Sequence, residues 1–179
     1  MRQKLARFLH ARLLPWLFPD RVPEVGAAWL RRHGARVGRG CAILGAEVLT
    51  EPYLLEIGDR VAVSVGTRFV THDGSTFHGT EKETFGRISV GDDTFIGCYC
   101  LILPGTVIGR DCIVGAGSVV RGTVPDGSVV MGNPARFVMT TAMARRLGAR
   151  NRNSLTVKGL SPRERQRTVL EHFGPGPGE

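Results

Sequence analysis

The chain has 179 residues, enough for one domain with short additions, and 42 % hydrophobic residues, enough for a buried core. No apolar run approaches the roughly 18 residues that span a bilayer. The start, Met1-Arg-Gln-Lys-Leu-Ala-Arg-Phe8, lacks the uninterrupted apolar stretch of a signal peptide, so a cytoplasmic protein is expected. The net charge of +8 is uneven: residues 1–40 hold nine Lys/Arg against two acids, residues 141–179 eight against three, and residues 41–140 seven against eleven. No recognised module or aromatic platform accompanies the basic flanks, so no nucleic-acid partner is expected.

Residues 1–36 read as an N-terminal helical segment. Within residues 2–17, Leu5, Phe8, Leu9, Leu13, Trp16 and Leu17 recur at helical spacing opposite Arg2, Lys4, Arg7 and Arg12. A basic amphipathic helix of this kind could make peripheral contact with a membrane or cover part of the fold, and the spacing leaves both open. A second short helix is expected over Val25 to His33, stopped by Gly34.

A period of six begins at Val37. Val37-GRGCA, Ile43-LGAEV and Leu49 open one turn of three hexads; Ile57-GDRVA, Val63-SVGTR and Phe69-VTHDG make the next, after two extra residues near Pro52-Tyr53. Six unbroken hexads then start at Val90, Ile96, Ile102, Ile108, Val114 and Val120, with compact residues (Thr94, Cys100, Thr106, Cys112, Ser118 and Val124) at the fifth places. A period of six fits neither an amphipathic helix nor a simple strand. It fits short strands and tight turns stacked as a β-solenoid, three hexads to a triangular coil. The aliphatic residues would fill the interior, and the glycines after them (Gly91, Gly97, Gly109, Gly115) would relax the corners. The solenoid is expected over residues 37–138.

Counting from Ile57, the next coil would start at position 75, but it starts at Val90. Residues 73–87 are therefore expected as a loop extruded from a rigid scaffold, a place where function concentrates. After the turn Pro125-Asp126-Gly127 comes a last strand, Ser128 to Met131. Residues 139–179 read as a C-terminal extension. In it, 139–147 form a helix closing the open end, Ser161-Pro162-Arg163-Glu164 starts a helix running to Phe173, and the Gly/Pro tail from Gly174 is disordered.

His72 lies at the root of the extruded loop, outside the interior positions of its hexad. An imidazole there can take a proton from a hydroxyl or amine near neutral pH. A turn histidine bonded to backbone is the other reading of the same spacing. His78, inside the loop, is a weaker candidate; His10, His33 and His172 lie outside the repeats. Cys41, Cys100 and Cys112 fall at fifth places, with Cys98 among them, and their spacing matches no zinc pattern, so no metal is expected. No G-x-S-x-G elbow or Walker lysine is present.

The hexads, Thr71-His-Asp-Gly74 before the loop, Ile96-Gly97-Cys98, Leu103-Pro104-Gly105, Val114-Gly-Ala-Gly-Ser-Val119 and Gly132-Asn-Pro-Ala-Arg136 together resemble the hexapeptide-repeat acyltransferases. The match is nearest the maltose, galactoside and polysaccharide O-acetyltransferase branch. The resemblance implies an all-β fold, a left-handed parallel β-helix, in a homotrimer with active sites between subunits. It implies acetyl transfer from acetyl-coenzyme A, without a metal, to a sugar-type acceptor hydroxyl with His72 as general base; N-acyl transfer to an amino sugar or nucleotide sugar is the second reading. By the same resemblance Cys98 and Ala116 touch the pantetheine arm, Arg121 and Gly122 match a Thr-Lys pair at coenzyme A, and Arg136 lies near its nucleotide end. The chain departs from the pattern in having Gly122 at the lysine place and Leu44 where galactoside-type enzymes use an asparagine. A γ-class carbonic anhydrase would need three metal-binding histidines, and only His72 and His78 lie in or beside the coils.

Overall fold

The computed structural model describes residues 23–48 and 50–174; the amphipathic segment 2–17, Leu49 and the tail after Gly174 lie outside the described residues. Strands mostly two residues long alternate with corners and build three parallel sheets. The first holds Arg36–Val37, Leu55–Ile57, Ile88–Val90, Val107–Ile108 and Thr123–Val124. The second holds Ala42–Ile43, Ala62–Val63, Phe95–Ile96, Ile113–Val114 and Ser128–Gly132, and the third Glu47–Val48, Arg68–Phe69, Leu101–Ile102 and Val119–Val120. The chain visits the sheets in rotation, giving a left-handed parallel β-helix.

The register explains the repeat. Ile96 lies level with Val63 and Val114, Ile102 with Phe69 and Val120, and Ile108 with Val90 and Val124, so each sheet contributes one column of interior apolar side chains, aliphatic except for Phe69. All of these residues are buried, whereas their strand neighbours Phe95, Leu101 and Val107 point outward and are exposed. Each interior aliphatic contributes about 1.5–3 kcal/mol by leaving water.

The fifth places that hold Thr or Cys are compact for a further reason: their side chains donate to backbone carbonyls of the coil. Thr94 Oγ1 donates to the Gly109 carbonyl at 2.9 Å, Thr67 Oγ1 to Gly97 at 2.8 Å and Thr106 Oγ1 to Val120 at 3.2 Å. The thiols of Cys100 and Cys112 reach the carbonyls of Gly115 and Pro125, each at 3.2 Å. Among the described residues no buried side-chain nitrogen or oxygen lacks a partner, as a low-dielectric interior requires.

Four expectations are corrected. The glycines after the aliphatic residues are not there for corner flexibility: a methyl on Gly97 would lie 2.6 Å from the Ala116 nitrogen, so stacking of consecutive coils excludes any side chain. In the first coil the interior place level with Phe69 belongs to Val48, and the surplus before Leu55 is taken up by a 3-10 turn, Pro52–Leu54. The chain does not become helical at 139. Ala135–Thr140 is a strand, antiparallel to Ser128–Gly132, and it covers the edge that the last parallel strand would expose. The helix starts at Thr141, whose N–H donates to the Gly127 carbonyl at 2.8 Å and whose hydroxyl donates to Asp111 at 3.0 Å. Finally, the first described helix, α1, spans Pro23–Arg32 rather than 25–33. It buries Ala27 and Leu30, and Gly34 at φ +97° turns the chain out of it.

The extruded segment has a paired neck. Gly86 N–H donates to the Thr71 carbonyl at 2.9 Å, and His72–Asp73 pairs antiparallel with Thr84–Phe85. A one-turn helix, α2 (Phe77–Thr80), forms the tip. Asp73 accepts from the Ser75 N–H at 2.9 Å, and this bond holds its carboxyl below the usual range. Helix α3 is Thr141–Arg150. Residues 143–174 form a unit of their own, in which α4 (Pro162–Phe173) opens with a capping box: Glu164 N–H donates to Ser161 Oγ at 3.4 Å and Ser161 N–H to Glu164 Oε2 at 2.8 Å. Among the described residues no helix is long and apolar enough to cross a membrane.

Candidate active site

At the neck, Thr71 is buried and the following His72 turns outward beside the corner. Its ring stacks on Phe85, its cross-strand partner, with centroids 4.9 Å apart and planes at 23°. Three residues from elsewhere converge on the imidazole. Thr50 Oγ1 is 3.0 Å from Nδ1, Glu51 Oε2 is 3.6 Å from Nδ1, and Glu83 Oε2 is 3.2 Å from Nε2. The Thr50 hydroxyl donates to the Glu51 carboxylate, and Thr71 Oγ1 donates to the same oxygen at 3.2 Å. With the Thr50 proton spent on Glu51, the Thr50 oxygen can accept a hydrogen from Nδ1, and the Glu83 carboxylate can accept one from Nε2.

The remaining candidates fall into two groups. Arg121 and Gly122 share a corner with the neck. Val107 N–H donates to the Gly122 carbonyl at 2.9 Å, and Pro104-Gly105 lies between that level and the neck, with a Cβ on Gly86 falling 2.8 Å from Pro104 Cβ. Cys98 and Ala116 occupy the neighbouring corner on successive coils, where Gly117 N–H donates to the Cys98 carbonyl at 2.8 Å. The third sheet separates the two groups within one chain. Arg136 is exposed on the antiparallel strand opposite Met131. Neither Arg121 nor Arg136 pairs with a carboxylate among the described residues.

Comparison with known proteins gives a consistent assignment. The family described as bacterial transferase hexapeptide (six repeats) matches residues 87–122. CapG of Staphylococcus aureus is 42 % identical over 116 residues, 61 % of this chain and 67 % of that protein. YvoF of Bacillus subtilis (strain 168), whose name marks it provisionally as an acetyltransferase, is 33 % identical over 124 residues, 66 % of this chain and 70 % of that protein. The chain belongs to the hexapeptide-repeat acetyltransferases. Among solved structures, the enzyme is similar to a hexapeptide-repeat acetyltransferase of Vibrio cholerae O1 biovar eltor in complex with acetyl coenzyme A, at 28 % identity and TM-score 0.54 over 60 % of each chain. It shares its fold with a maltose O-acetyltransferase of Clostridium difficile 630, at 22 % identity and TM-score 0.51 over 65 % of this chain and 75 % of that one.

In this acetyltransferase the other nucleophile and ligand candidates are otherwise engaged. Burial pushes the Cys100 and Cys112 thiols up, away from the thiolate form. His78 packs edge-on against Phe77 at the loop tip with centroids 5.9 Å apart, and His33 stacks on Trp29 at 4.0 Å. Among the described residues no group of three or more His, Cys, Asp or Glu is arranged to hold a metal. Thr50, Glu51 and Glu83 are the site residues that sequence reasoning missed. A signal existed for the first two: the surplus near Pro52 and the extruded loop both leave the coil just after level third-sheet strands, Val48 and Phe69, so their polar residues meet at one corner.

Proposed function

We propose that the enzyme transfers the acetyl group of acetyl-coenzyme A directly to a hydroxyl of a sugar or polysaccharide, with His72 as general base. The observation that carries this reading is the chain Glu51–Thr50–His72, which can hold the ring with its hydrogen on Nδ1 and so leave Nε2 to act as the base. Nε2 takes the acceptor proton as the acceptor oxygen forms its bond to the thioester carbonyl carbon. The resulting oxyanion is met by backbone N–H groups. As it collapses the C–S bond breaks, and the thiolate takes the proton from the imidazolium, giving the ester and the free thiol. The Glu51 carboxylate, acting through Thr50, favours the ring while it carries the extra proton.

The remaining residues suit the donor. Arg121 and Arg136 offer guanidinium groups with no carboxylate to satisfy, which fits the phosphates of coenzyme A. Cys98 and Ala116 are small side chains on adjacent levels of one corner, where a slender pantetheine arm can lie along the coil. Their separation from His72 by a whole sheet favours a homotrimer in which one subunit supplies His72 and its neighbour the Cys98 corner.

The test is His72→Ala. Thiol release with acetyl-coenzyme A and a sugar acceptor should fall by roughly 10²–10⁴-fold, with KM for acetyl-coenzyme A preserved; near wild-type turnover would reject the mechanism. Light scattering should give a mass near three times 19.4 kDa, and a fully active monomer would sink the shared site.

A further inference from the structure

The two carboxylates beside His72 are not equivalent. Glu51 has a side chain only 13 % exposed, and one of its oxygens accepts from Thr50 and Thr71. It is a fixed part of the corner. Glu83 comes from the extruded loop, its side chain is 38 % exposed, and among the described residues its carboxylate meets no polar side chain but His72. Its Oε2 stands 3.2 Å from Nε2, within the roughly 2.6–3.2 Å across which a base takes a proton. The oxygen therefore occupies the space that the reacting acceptor atom must share.

When the ring serves as the base, with its hydrogen on Nδ1, Nε2 and Glu83 Oε2 turn lone pairs toward each other with no hydrogen between them. An incoming molecule resolves this if it brings two donors, one hydrogen for Nε2 and a second for the carboxylate. We infer that Glu83 is a specificity-determining residue. The acceptor carries a hydrogen-bond donor, hydroxyl or ammonium, on the atom next to the reacting group, and an acceptor with a carboxylate or phosphate there is rejected by charge. This rests on His72 acting as the base. Gly74 leaves the approach open, since a methyl on it would already stand 3.7 Å from Glu83 Oε1 and 3.8 Å from His72 Nε2.

The experiment compares wild type, Glu83→Gln, Glu83→Ala and His72→Ala by thiol release from acetyl-coenzyme A, using methyl glucoside, glucosamine and glucuronic acid as acceptors. Wild type should prefer the neutral and cationic sugars over the anionic one by roughly tenfold or more in kcat/KM. Both Glu83 variants should raise the acceptor KM for glucosamine and lower it for glucuronic acid, closing that gap, with KM for acetyl-coenzyme A unmoved. A fall confined to glucosamine assigns the second donor as ammonium; a fall shared with methyl glucoside assigns it as hydroxyl. An equal loss on all three acceptors would mean that Glu83 only holds the loop, and would overturn the inference, as would an unchanged order of preference or a wild type that uses none of the three. If His72→Ala retains turnover, the base assignment itself fails. If His72→Ala is inactive while the Glu83 variants keep the wild-type order, this inference alone falls.

Discussion

Removing the Glu51 carboxylate tests how the imidazole is held. Glu51→Ala deletes the acceptor of the Thr50 hydroxyl and with it the reason that Thr50 must accept from His72 Nδ1. A hydrogen bond to a charged group contributes about 1.5–3 kcal/mol, and at 13 % exposure the carboxylate is little screened by water. If that energy is realised as the ring gains its proton in the transition state, kcat falls roughly 10- to 100-fold. KM for acetyl-coenzyme A should stay unchanged, because Glu51 lies on the His72 corner and not beside Cys98 and Ala116. The same substitution leaves the buried Thr71 hydroxyl without its acceptor, so Glu51→Gln is the necessary companion. It keeps an oxygen for Thr71 while losing the charge, and should recover stability more fully than turnover. The assay is steady-state thiol release, with thermal unfolding of each variant alongside. A double variant with His72→Ala should be no slower than His72→Ala alone, since the two residues act as a unit. Glu51→Ala with wild-type kcat, in an enzyme that His72→Ala inactivates, would refute the Glu51–Thr50–His72 chain.

Three further outcomes are expected. Arg121→Ala or Arg136→Ala should weaken acetyl-coenzyme A by about 1.5–3 kcal/mol, read as a raised KM with acceptor KM unmoved; no change in both variants removes them from the donor site. Ile102→Ala opens the column between Phe69 and Val120 and should cost about 2–5 kcal/mol in denaturant unfolding, so a loss below about 1 kcal/mol would contradict the packing described. The Glu164 carboxyl is lowered, first by its side-chain bond with Ser161 and then by the Ser161 backbone. A lowered folded value means that its support for α4 is complete above the unfolded glutamate value of about 4.3 and is lost as pH falls through the folded one. Amide exchange within Pro162–Phe173 should therefore quicken at acid pH in wild type, and Ser161→Ala should flatten that dependence.

The sequence by itself determined the coil. An interior one side chain wide takes a branched aliphatic residue at nearly every strand, Phe69 being an exception, and most corners take a small donor for a carbonyl, so a period of six was written into Val90 to Val124. It also located the extruded loop and His72, because a rigid repeat shows an insertion as a break in register. It did not pick out Val48 as an interior residue, since a strict period of six from Ile43 points one position later and the corner before Val48 is one residue shorter than the equivalent corners of later coils. Nor did it disclose the strand Ala135–Thr140, which pairs with a single neighbour and has little alternation of burial to impose. The surroundings of His72 were decided only by the tertiary structure. Thr50 lies 22 positions before it and reaches it through the stacking of one coil on the next, and Glu83 reaches it through the antiparallel neck of the loop. No local pattern encodes such contacts, because a threonine and two glutamates in irregular segments look like solvated surface until backbone pairing fixes what they face.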